Sequence, residues 1–292
     1  EEKESVKIPL VGRENELKLI LSELEKVTKR KSFSVLINGD GGIGKSKLVG
    51  EFLNTIKSAN DGYVFYTSGG IYQKEFSWKP FKDMFYLFFK LKQNESVKEA
   101  LTSFGLSKSK EFEIPCKYIA QIFNPDEETA EFSINKQMIL DAFRLFFREL
   151  SKEKKIVFII EDIHHFDSES LELLDYLQRT LKNANIFFLL SKRNELSWSP
   201  KNVKINTINL ARLTEKECIM LSRNILDGQP EKKLSKYLND NSLGNPYYLL
   251  EILQTLRENQ LIFRKKNYFY IVDDFDKRVE KYSINSIPNM IL

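Results

Sequence analysis

The 292-residue chain carries 45 Lys and Arg against 41 Asp and Glu, a net charge of +4, and 42% hydrophobic residues. That length predicts about two domains with ample buried core, and the interspersing of lysines with glutamates argues against a nucleic-acid partner. Two cysteines, Cys116 and Cys218, without C-x-x-C spacing point to neither a disulfide framework nor a zinc site and favour a reducing cytoplasm, and with no signal peptide and no apolar run near ~18 residues a membrane span is excluded.

Glu14 to Thr28 places Leu17, Ile20, Leu21, Leu24 and Val27 at helical spacing, predicting a first helix. The dense cluster Lys26 to Lys31 falls at its end, where positive charge suits the dipole. Ser34–Asn38 then reads as a short buried strand. Directly after it, Gly39-Asp40-Gly41-Gly42-Ile43-Gly44-Lys45-Ser46 satisfies G-x-x-x-x-G-K-[ST] at every fixed position. Leu48, Phe52, Leu53 and Ile56 continue at helical spacing. The residue types explain the pattern. A triphosphate needs many N–H donors close together, and a glycine-rich backbone curls tightly enough to present them. Lys45 would reach the β- and γ-phosphates, the Ser46 hydroxyl would hold Mg²⁺, and the helix N-terminus would add its own amides.

Tyr63–Thr67 reads as a second strand. A long interval follows, about 69–154, with helical patterns and no strong strand. Phe81, Phe85, Phe88 and Phe89 within Trp78–Leu91 form an aromatic stripe, read as core or helix–helix contact. Asn124–Glu128 is a predicted turn and Asn135–Leu150 an amphipathic helix. Ile156–Ile160 is the strongest strand, a continuous apolar run of the kind found in parallel sheets covered on both faces. Leu171, Leu174, Leu177 and Leu181 form a further helix, Ile186–Leu190 a fourth strand and Val203–Leu210 a fifth. Strands alternating with helices predict a parallel α/β sheet. After Leu210 the pattern is helical, over Thr214–Leu226, Lys232–Leu238 and Tyr247–Asn259, with breaks at Asp227–Pro230 and Leu243–Pro246. Ile262–Arg264 and Tyr268–Ile271 about Asn267 predict a hairpin.

Glu161 and Asp162 follow the strongest strand, where α/β sheets bind ligands. One carboxylate can anchor Mg²⁺ through its water shell while the other orients an attacking water. His164 and His165, the only histidines, are adjacent and expected to point in different directions, a poor metal pair. Asp167 reads as the N-cap of the helix starting near Ser168, with contact to the nucleotide as the other reading.

These motifs resemble the STAND subclass of P-loop ATPases, related to AAA+ proteins, found after class III adenylyl cyclase domains and inside transcriptional regulators and kinase-linked sensors. Leu10-Val11-Gly12-Arg13-Glu14-Asn15-Glu16-Leu17 is similar to the opening G-R-E-x-E-L, and Gly39 to Leu48 to G-x-x-G-I-G-K-S-R-L. Glu161-Asp162-Ile163-His164-His165-Phe166-Asp167 is similar to an acidic pair followed by h-H-W-A-D. Ser191-Lys192-Arg193 matches T-x-R, and Gly244-Asn245-Pro246 matches G-N-P. The resemblance spans about Leu10 to Leu261. It implies a five-stranded sheet of order 5-1-4-3-2, flanked by helices and followed by a smaller helical lid. It also implies nucleotide contacts from Val11, Gly12 and Arg13, the latter two on the adenine side. The loop residues Gly39, Gly41, Gly42, Ile43, Gly44, Lys45, Ser46 and Lys47 would surround the phosphates. Arg193 would sense the γ-phosphate, and Pro246 would lie against adenine from the lid. The acidic pair is Glu-Asp where Asp-Asp or Asp-Glu is commoner; Glu161 is assigned to Mg²⁺ and Asp162 to the water. His165 replaces the tryptophan of the motif.

The expected organisation is a nucleotide-binding domain over 1–210, with the helical insertion at about 69–154, a lid with terminal hairpin over 211–275, and the start of a following domain over 276–292. The chain begins at Glu1 rather than Met and stops on an apolar run, so it reads as a piece of a longer polypeptide. The resemblance implies a cytoplasmic, slow, Mg²⁺-dependent ATPase that switches between ATP and ADP forms to regulate an attached effector domain, with ATP favouring self-association. Two other readings stay open. One is a module that holds ADP or ATP without turnover, since the acidic pair departs from the pattern and no arginine finger is identifiable. The other is an origin-recognition-like ATPase that grips DNA, which shares the opening motif but needs a complete winged helix.

Overall fold

The computed structural model describes residues 9–59, 62–70, 75–92, 95–108, 110–123, 135–196, 198 and 203–280. The turn expected at Asn124–Glu128 and most of the expected following domain lie outside them. By its contacts the chain forms two compact units.

One unit comprises Leu19–Asn38 and Leu53–Ile208. Its centre is a five-stranded sheet of β1 (Phe33–Asn38), β2 (Gly62–Ser68), β3 (Lys155–Glu161), β4 (Ile186–Lys192) and β5 (Asn206–Asn209). The order β2-β3-β4-β1-β5 is the expected 5-1-4-3-2 read from the opposite edge. β2, β3, β4 and β1 pair in parallel, with Ser68 opposite Glu161, Ile160 opposite Leu190 and Lys192 opposite Asn38. β3 is buried from Ile156 through Glu161 and β4 from Ile186 through Ser191. This burial on both faces is why these strands read as unbroken apolar runs rather than alternating ones.

Among the described residues, the insertion holds four helices: α3 (Lys79–Phe88), α4 (Val97–Ser107), α5 (Lys110–Gln121) and α6 (Lys136–Glu153). The aromatic stripe is core, as expected. Phe65 of β2 stacks on Phe88 at 4.2 Å and meets Phe147 edge-on at 5.1 Å; Phe147 meets Phe158 at 4.7 Å, and Phe158 stacks on Phe188 at 4.9 Å. Such pairs contribute about 0.5–1.5 kcal/mol each beyond their burial, so the rings couple the insertion to the sheet. Cys116 lies in the same core, where burial pushes its thiol up to about 12.

The other unit comprises Glu1–Lys18, Gly39–Phe52 and Asn209–Leu292. Its helices include α8 (Glu215–Leu226), α9 (Lys232–Ser242) and α10 (Pro246–Glu258), packed through Leu221, Leu234, Leu238, Leu249 and Ile252. Thr214 and Glu217 start α8 with a capping box, satisfying amides that the first turn cannot. The hairpin forms as β7 (Ile262–Lys265) and β8 (Tyr268–Ile271). The break between α8 and α9 falls at Asp227–Pro230, as expected, and it also holds a strand that the sequence did not announce, β6 (Gln229–Pro230), parallel to β8. A two-residue strand has no periodicity to read, and Pro230 is tolerated because β6 is an edge. Among the described residues no helix is long and apolar enough to cross a membrane.

Candidate nucleotide site

The chain leaves β1 at Asn38, turns through Gly39–Gly44 and enters α2 (Lys45–Ala59) at Lys45. The turn requires glycine at Gly42, whose φ is 73°. A Cβ there would stand 2.6 Å from Cβ of Tyr247, so only a hydrogen lets loop and α10 approach. A Cβ built on Gly44 meets nothing within 4 Å. The loop is therefore unobstructed beside Gly44, which is compatible with the anion that the motif predicts. Lys45 is buried, and its Nζ donates to the carbonyls of Gly39 and Asp40, both at 2.8 Å. Ser46 and Lys47 are exposed on the first turn, and Lys47 pairs with Glu51 at 3.0 Å.

Within the same unit, residues from the opening and lid motifs converge on this loop. Arg13 is 5% exposed; its Nη2 donates to the carbonyls of Ile43 at 3.3 Å and Ala211 at 2.5 Å. Asn245 Nδ2 donates to the Gly41 carbonyl at 2.9 Å, and the Tyr247 N–H donates to the Gly42 carbonyl at 3.2 Å. Pro246 lies between these two donors as the first residue of α10. Gly12 has φ 68°, and a Cβ on it would fall 2.5 Å from Glu217 Oε1, the carboxylate of the capping box. Val11 is turned into the helical core.

The acidic pair belongs to the sheet unit. Glu161 is the last residue of β3, 5% exposed, and accepts a hydrogen bond from the Tyr66 hydroxyl of β2 at 3.0 Å. Burial first, then the charges of Glu161 and Asp162, push the Tyr66 phenol up to about 12. Tyr66 therefore holds its proton more tightly folded than unfolded. Its contribution to stability is complete below pH 10 and is lost as pH rises toward about 12. Tyr66→Phe is expected to lose less stability than wild type between pH 9 and pH 11.5, measured as urea midpoints; equal losses would refute the coupling.

Asp162 sits at φ 52°, a left-handed conformation that Asp and Asn tolerate. Its N–H donates to Ser191 Oγ of β4 at 3.0 Å, which ties the ends of β3 and β4 together. Arg193 follows Lys192, which stands opposite Asn38, the residue before the loop. Asp167 is the N-cap, as expected. It accepts from Ser170 N–H at 2.8 Å, Ser170 Oγ at 2.7 Å and Trp78 N–H at 3.2 Å. The histidines differ from expectation: the short 3₁₀ turn Ile163–His165 brings their rings to 4.0 Å between centroids.

The Ser46 hydroxyl and the Glu161 carboxylate are each, by residue type, a hard oxygen donor of the kind Mg²⁺ takes. Sequence reading missed Tyr66, Ser191 and Asn245 as supports. Ser191 and Asn245 lay inside quoted motifs, whereas Tyr66 carried no signal beyond its strand.

A search of curated protein sequences finds no match. Among solved structures, the fold is similar to that of Cdc6p from Pyrobaculum aerophilum, with a TM-score of 0.58 and 12% identity over 88% of this chain and 65% of that one. The chain thus spans less than two thirds of that relative. Two further similarities have a TM-score of 0.44. One is to domain III of the replication initiation protein DnaA of Thermotoga maritima, at 13% identity over 87% of this chain and 86% of that one. The other is to a STAND protein with a tetratricopeptide repeat sensor from Pyrococcus horikoshii, at 18% identity over 95% and 43%. The model of the AAA ATPase domain matches residues 9–189, taking in the opening motif, the phosphate loop and the acidic pair, and the chain belongs to that family of P-loop ATPases.

Proposed function

We propose that this module binds MgATP, hydrolyses it slowly and uses the difference between ATP and ADP to regulate an effector domain of a longer polypeptide. The observation that carries the reading is the phosphate loop, with its open face at Gly44, its buried Lys45 and its contacts to Arg13 and Asn245. Lys45 exchanges two loop carbonyls for β- and γ-phosphate oxygens, a stronger charge-assisted pairing. Ser46 and Glu161 would hold Mg²⁺, which when bound would neutralise charge on the phosphates. Asp162 orients and polarises the attacking water, and Ser191 fixes its backbone. Arg193 contributes a guanidinium for the γ-phosphate, and Pro246 an apolar face for adenine. The resemblance of the motifs to the STAND subclass supports the switch and its ATP-favoured self-association.

A ligand shifts a conformational equilibrium only through differential affinity for the two states. The test is therefore hydrogen exchange across α8–α10 with saturating MgATP and with saturating MgADP, alongside calorimetric titration of each. The expected result is binding of both, with different protection at the start of α10. Identical protection would refute the switch.

A further inference from the structure

The carbonyls of the phosphate loop are held in an unbroken run. Lys45 takes those of Gly39 and Asp40, Asn245 that of Gly41, the Tyr247 N–H that of Gly42, and Arg13 that of Ile43. Every peptide here is trans, so C=O and N–H point in opposite directions within each peptide plane. Holding the Gly41 carbonyl thus sets the direction of the Gly42 N–H, and holding that of Ile43 sets the direction of the Gly44 N–H. Such successive amides are what an anion-binding concavity presents.

Asn245 is 1% exposed, and its two polar atoms have separate tasks. Oδ1 accepts from the Tyr247 N–H at 3.0 Å and caps α10, while Nδ2 donates to the Gly41 carbonyl at 2.9 Å. One partner is only a donor and the other only an acceptor, so this orientation of the amide satisfies both. A cap by itself needs only an acceptor, and Ser or Asp would serve. What an amide adds is the donor to the loop.

We propose that Asn245 is a positioning residue of the phosphate site, holding the Gly41 carbonyl outward so that the loop amides face a di- or triphosphate. The same side chain starts α10, so the phosphate-binding geometry and the entry of that helix move together. This rests on the nucleotide reading of the loop and adds to it the contact by which phosphate is felt in the helical unit.

The test compares wild type with Asn245→Ser and Asn245→Asp, both of which keep a capping oxygen. Ser shortens the side chain, whereas Asp places an acceptor against the Gly41 carbonyl. ATP, ADP and inorganic pyrophosphate are titrated in competition with a fluorescent ADP analogue. Losing one buried hydrogen bond predicts about tenfold weaker binding of all three, with ligand-free thermal midpoints within about 3 °C of wild type. Pyrophosphate carries no base, so a parallel loss assigns the effect to the phosphates. Unchanged affinities, or a loss for ATP and ADP with pyrophosphate unaffected, would overturn the inference. Wild-type protein that binds no nucleotide would overturn the nucleotide reading itself, and this inference with it.

Discussion

Lys45→Ala is expected to weaken MgATP binding by about 100- to 1,000-fold, because charge-assisted hydrogen bonds contribute about 1.5–3 kcal/mol each, the proposed role of Lys45 uses two, and the carbonyl bonds it gives up offset part of that gain. Its amine is already buried and bonded to the Gly39 and Asp40 carbonyls, so it is held at the loop rather than free in solvent. Little side-chain entropy is then lost when phosphate oxygens replace the carbonyls. Alanine removes this cation and also releases two carbonyls. Lys45→Met, which keeps the length of the stem, separates loss of charge from loss of packing. Calorimetric titration with MgATP is the measurement. Wild-type affinity in both variants would remove the phosphate assignment.

Asp162→Asn is expected to lower the single-turnover hydrolysis rate by about 100- to 1,000-fold, within the range for a residue that handles a proton in the transition state. Affinity for MgATP should change little. The substitution suits the site because Asp162 has φ 52°, and asparagine accepts the left-handed region as readily as aspartate. The bond from its N–H to Ser191 Oγ also survives, since it uses the backbone. Glu161→Gln separates the two carboxylates: it should raise the Mg²⁺ concentration needed for half-maximal binding, because Glu161 is assigned to the metal. Unchanged hydrolysis in Asp162→Asn would favour a module that holds nucleotide without turnover.

Much of the fold was legible because the central strands β3 and β4 are buried on both faces and appear as unbroken apolar runs. Ile156–Ile160 and Ile186–Leu190 could be read in this way from composition alone. Their order came from the resemblance, and the pairing agrees with it. β6 was not legible, since two residues carry no period and one of them is proline. The contact of the two histidine rings was not legible, because it depends on side-chain rotamers within a short turn and not on residue spacing. Asp167 was read correctly because an N-cap is a local device, made within three residues of its own helix.

The amino-acid sequence by itself determined the chemistry: glycines where the loop must turn, Lys45 and Ser46 at the entry of α2, and carboxylates at the end of the most apolar strand. Each is written in neighbouring residues, as local backbone geometry demands. Only the tertiary structure decided which side chains support them. Tyr66 reaches Glu161 across 95 residues of chain, Ser191 reaches Asp162 across 29 and Asn245 reaches Gly41 across 204. Hydrogen bonds of that span depend on strand register and helix packing, which no short stretch of sequence encodes. The phosphate loop was therefore recognisable at once, but the hydrogen bonds made to its carbonyls appear only when the chain is folded.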